Sequence, residues 1–186
     1  KRQRGGDIGG LLGPLEIEAA RYERDLIVGA AQRREARDLV TRAREAVTAL
    51  SAREQAVRQL ADQAAQRVWP LPAAGVPALA ALGPIPNTKA TLQPYLARLG
   101  EYGTALEAAH RDLSAAVAEV GRAEDLLDAL GAKAAARGWA EDAALSGIAD
   151  LTMAQLADGP AVLPVVNELL AAYSARLDYL TARSAS

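Results

Sequence analysis

PLEIEAARYERDLIVGAAQRREARDLVTRAREAVTALSAREQAVRQLADQAAQRV, residues 14–68, holds no proline after its first residue and a single glycine. Steps of four and three from Leu15 pick out Leu15, Ala19, Tyr22, Leu26, Gly29, Arg33, Ala36, Val40, Ala43, Val47, Leu50, Glu54, Val57, Ala61, Ala64 and Val68. Only Arg33 and Glu54 in that series are charged. A seam kept this long is the pattern of a helix that packs along its length against another helix. Unbroken, the segment spans about 80 Å at roughly 1.5 Å per residue. Pro14 suits a first helical turn. Ser51-Ala-Arg-Glu54 matches a capping box and raises a kink there as the alternative. The seam runs through it, which favours continuity.

A second seam supports the same reading. Thr88 and Thr91 are both suitable caps for a helix over 91–137, with Pro94 near its first turn. Leu99, Tyr102, Leu106, Ala109, Leu113, Ala116, Val120, Ala123, Leu127, Leu130 and Ala134 continue at the same spacing, and Gly138 ends the run. Two seams of one period predict an all-α protein built on a long antiparallel, coiled-coil-like hairpin. Its expected register sets Val68 near Leu92 and Arg37 near Glu124. Short helices are expected over 139–158, where Thr152-Met-Ala-Gln155 looks like a second capping box. A last helix over 164–182 is expected to close a three-stranded bundle. Residues 14–186 then form one domain behind a flexible leader, 1–13.

Between the seams lies WPLPAAGVPALAALGPIPNTKA, residues 69–90, with no charge between Arg67 and Lys89. Five prolines forbid a membrane-spanning helix despite its apolar length. It reads as a structured apolar loop with a short helix near Pro77–Leu82. Loops this long inside compact domains are often functional. Trp69, Leu71, Val76, Leu79, Leu82 and Ile85 are therefore the candidate partner-binding residues.

Composition narrows the function. The chain has 186 residues, enough for a real core, but no Phe and a large share of Ala, which suits slender bundles. Net charge is −2, with the first 68 residues at +3 and the rest at −5. A nucleic-acid binder would show a strong basic excess on one face, so nucleic acid is not expected as a partner. Eighteen Arg against three Lys points to GC-rich coding and a bacterial source. The absence of Cys excludes disulfides and Cys-ligated metal. No signal peptide is visible, and the start at Lys1 suggests a piece of a longer protein.

The tests for chemistry fail. Ser51, Ser114 and Ser146 lack a nucleophile-elbow context, and no phosphate-binding or dinucleotide motif is present, GDIGG at 5–9 included. His110, the only histidine, has no companion ligands and reads as a polar flank residue. Glu124, Asp125, Asp128, Glu141 and Asp142 read as solvated helix faces, since no Glu-x-x-His motif accompanies them. The arginines of the first helix, among them Arg37, Arg44 and Arg58, read as register-setting ion-pair donors. Trp139 reads as an end plug. No enzyme, metal or cofactor is expected.

The 14–68 and 91–137 seams, with the basic KRQR leader, resemble helical signalling or sensor modules of bacterial membrane proteins. The resemblance implies a relay role beside a membrane and carries no ligand-binding residues over. The expectation is a non-catalytic protein-interaction or signal-relay module, with homo-oligomerisation open. A soluble scaffold or chaperone-like adaptor, and a lipid binder acting through the apolar loop, are the alternatives.

Overall fold

The computed structural model describes residues 9–73 and 75–184, and the backbone alone of residues 9–12 and 14. The fold is all-α. Four helices, α1 (Gly9–Arg67), α2 (Lys89–Ala136), α3 (Ala143–Ala157) and α4 (Leu163–Ser184), account for nearly all regular structure. Two short strands, β1 (Val68–Trp69) and β2 (Ala161–Val162), pair in parallel, Val68 with Ala161 and Trp69 with Val162. α1 runs through Ser51 and Glu54 without a break. Of the expected leader, residues 1–8 lie outside the described residues, and 9–13 already belong to α1.

Where one domain over 14–186 was expected, the chain divides into two compact units. By their described residues, the first lies within 9–49 and 80–100 and the second within 50–79 and 101–184. α1 and α2 each contribute to both.

The direction of pairing differs from the expected hairpin. In the second unit Leu50 touches Gly103, and Arg53 bonds Glu107 at 3.0 Å. In the first unit Lys89, at the start of α2, bonds Glu35 at 2.8 Å. Within the second unit the two contacts keep nearly one separation, 53 and 54 residues. A constant difference is the relation of parallel neighbours, whereas antiparallel ones keep a constant sum. Within the second unit α2 therefore runs parallel to α1. The residues of the expected register have other neighbours: Val68 pairs with Ala161, Arg37 lies beside Asn87, and Glu124 lies beside Met153 and Leu156 of α3.

The segment between the helices makes this possible. The 21 residues between Arg67 and Lys89, extended at ~3.3 Å each, are long enough to return along a helix. In the second unit the Leu79 amide sits on Glu54, so the chain has already turned back along α1. In the first unit Asn87 lies against Ala36, Arg37 and Val40. Residues 70–88 are thus a return strap laid on α1, with one short 3₁₀ turn at Leu79–Leu82.

The second unit holds a hydrophobic core cluster. Ala123, Leu127, Leu130 and Ala134 of α2 meet Leu145 of α3 and Val166, Leu170, Tyr173 and Leu177 of α4. The helices packed three together are α2, α3 and α4, rather than the expected hairpin plus last helix. Gly138, at φ 73°, stops α2 in a left-handed turn in which the Trp139 amide reaches back to the Ala134 carbonyl. The expected cap at Thr152 is absent. Thr152 is buried inside α3, where its hydroxyl bonds the Ile148 carbonyl. The cap of α3 is Asp142, whose carboxylate accepts the amides of Ala144 and Leu145.

Candidate interaction surface

The strap residues divide in two. Val76, Leu79, Leu82 and Ile85 are half-buried. Trp69 and Leu71 are exposed, Trp69 at 57% although its backbone is held in β1. Uncharged apolar sequence is used here mostly for packing.

Glu54 fastens the strap. Its carboxylate accepts the Tyr102 hydroxyl at 2.6 Å, the Leu79 amide at 2.9 Å and the Arg58 guanidinium at 2.6 Å. Those donors, Tyr102 first, hold the Glu54 carboxyl below its ordinary range. Burial, with the negative carboxylate alongside, pushes the Tyr102 phenol up. One seam acid thus ties α1, the strap and α2 together. Nothing in the spacing shows this, because its partners lie 25 and 48 residues away.

A groove of about 590 Å³ in the second unit is lined by Arg53, Ala56 and Val57 of α1 and by Leu106, Glu107, His110 and Arg111 of α2. His110 rims this inter-helix groove beside Glu107 and Arg111. Among the described residues no group of three His, Cys, Asp or Glu side chains is placed to hold a metal ion. Asp142, read from sequence as solvated, instead accepts from Nε and Nη2 of Arg176, at 3.2 and 2.6 Å. That pairing, with the cap amides, lowers its pKa. Trp139 packs on the second-unit core under the Arg137 guanidinium, 5.5 Å from its ring centre, as an end plug should.

Among the described residues, a run of exposed large apolar side chains lies in the first unit. Leu15, Tyr22 and Leu26 of the α1 seam are 61%, 71% and 65% exposed, and Ile17, Ile27 and Val28 are exposed beside them. Farther along the same seam, Ala43 is fully buried. The periodicity that wants a neighbour starts well before the chain supplies one. The sequence reading treated the seam as uniform, since spacing alone does not say where a partner stops.

Comparison with protein-family models, curated proteins and solved structures found no match to this chain. Among the described residues no helix is long and apolar enough to cross a membrane.

Proposed function

We propose that this chain is a non-catalytic helical protein-interaction module whose docking face is the open first part of α1. The observation that carries this reading is the seam Leu15–Tyr22–Leu26, exposed on a helix whose later seam residues are buried. Contiguous exposed apolar surface on a soluble helix marks an interaction site, and seam residues at 3–4 spacing suit a helical partner. A continuous helix of 59 residues also suits a relay, since a partner bound near its start acts on a stiff element.

The loop residues become a secondary surface in this reading. Only Trp69 and Leu71 of the candidate set face solvent well enough to touch a partner.

A photo-crosslinking side chain placed at Tyr22 or Leu26 in living cells tests the proposal. Polypeptide adducts at both sites, and none at exposed Gln66 on the same helix, are expected. Absence of polypeptide adducts at 22 and 26, or equal yield at 66, refutes it.

A further inference from the structure

We infer that the occupant of this face is a second copy of the chain, docked antiparallel so that the two α1 helices cross near Ala30. The inference rests on the docking-face reading and names its partner. Its first support is a column of residues. The positions one after Leu15, Tyr22, Gly29, Ala36 and Ala43 are Glu16, Glu23, Ala30, Arg37 and Arg44. The charge along this flank inverts about Ala30. When two such helices lie antiparallel with Ala30 opposite Ala30, Glu16 faces Arg44 of the other copy and Glu23 faces its Arg37. Two-fold symmetry doubles these to four pairs. A parallel pair brings Glu18 of one helix toward Glu23 of the other, acid against acid. Flank charges of this kind choose partner and orientation.

The receiving surface is present in the same unit. Arg37 and Arg44 are exposed and rim a groove of about 400 Å³ whose remaining walls are Ala36, Val40, Thr41 and Asn87. It offers an apolar floor with a basic edge. The incoming stretch offers an apolar stripe, Leu15–Tyr22–Leu26, with an acidic edge, Glu16 and Glu23. Ala43 is already covered by its own chain, so the incoming helix lies on the Arg37–Arg44 flank of the seam. The same register sets Tyr22 against Val40 and Leu26 against Ala36, larger side chains facing smaller ones. At the crossing point stand Gly29, Ala30 and Ala31, small enough to let the two axes approach closely.

The chain has no cysteine, so an introduced thiol is the only one present. Chains carrying Glu23→Cys are mixed with chains carrying Arg37→Cys and treated with a short bis-maleimide. Mixed 23–37 products are expected to dominate over 23–23 products. A majority of 23–23 product assigns a parallel pair and overturns the inference. Sedimentation equilibrium of the unaltered chain should show a dimer. Glu16→Arg with Glu23→Arg should weaken it by about tenfold or more, as expected for four reversed surface pairs. Mixing that variant with Arg37→Glu/Arg44→Glu chains restores all four pairs and should restore the dimer. Circular dichroism confirms that each variant keeps its helices. A monomer up to roughly 100 µM, well above typical specific affinities, overturns the second copy as occupant. The photo-adducts then separate the two ideas. Adducts to other polypeptides at 22 and 26 leave the docking face standing with a different occupant, and no adducts remove both.

Discussion

Glu54 and Asp142 show how single residues bind separate segments. From sequence alone, Glu54 is a charge intruding on a seam, and Glu54→Leu is expected to hold or raise stability. The structure reverses this. The carboxylate side chain is 14% exposed and accepts three donors, two of which, the Leu79 amide and Tyr102 hydroxyl, lose their strongest partner on substitution. Glu54→Leu should cost roughly 2 kcal/mol, read from denaturant midpoints, while Glu54→Gln should cost less because it still accepts bonds. Both Glu54 and Asp142 have lowered folded pKa values. Their contribution is therefore complete above the ordinary values of 4.5 and 3.8 and is lost as pH falls through the lower folded values. Thermal melts should show stability falling below about pH 4. Asp142→Asn should flatten that fall, and an unchanged acid limb would remove Asp142 from the account. The capping pattern at Ser51 did single out Glu54, but for the wrong bond. Its true partners are brought close only by tertiary structure.

Among elements, the helices were the most legible part. Spacing and the scarcity of Pro and Gly locate α1 and α2 to within a few residues, because long helices repeat their signal many times. α3 was less legible. Asp142 was overlooked as its cap because it stands in a short acidic pair, and Thr152 imitates a cap while its hydroxyl bonds back within the helix. Two predictions belong here. Gly131 lies inside α2 with open space around an added Cβ, so Gly131→Ala should raise the melting temperature, by up to about 1 kcal/mol of stability. Leu26→Glu, on the open stretch, should change the stability of the separated chain by no more than about 0.5 kcal/mol. Leu92→Ala, at a fully buried site, should cost about 2–5 kcal/mol. Comparable losses at both sites would show that α1 is packed where it is described as open.

For the whole molecule, the all-α class was legible and the pairing direction was not. A 3–4 seam packs as well against a parallel neighbour as an antiparallel one, so the stripes carry no arrow. The arrow was in the connection. Antiparallel neighbours in bundles need only about 2–8 residues between them, and this chain spends 21, stiffened by five prolines. Charge-free sequence there suggested an exposed recognition tip, whereas its half-buried residues line the return path along α1. Cysteines at 35 and 89, or at 53 and 107, should be bridged within one chain by a short bis-maleimide. Failure of both would reject the parallel arrangement.

The separation of 54 residues between partner positions also governs what happens during synthesis. At roughly 5–20 residues per second, α1 leaves the ribosome about 3–11 s before the part of α2 that covers it. Through that interval Val57 and Ala64, buried in the finished chain, have nothing of their own to cover them. On a busy message, the nearest complementary surfaces are the α1 helices of chains being made alongside. Nascent chains that carry Glu16→Arg and Glu23→Arg, which weaken docking at the open face, should therefore sediment as associated species when arrested at residue 88 and should not when arrested well past residue 136. Equal sedimentation of the two would mean that α1 waits for its own α2 without help.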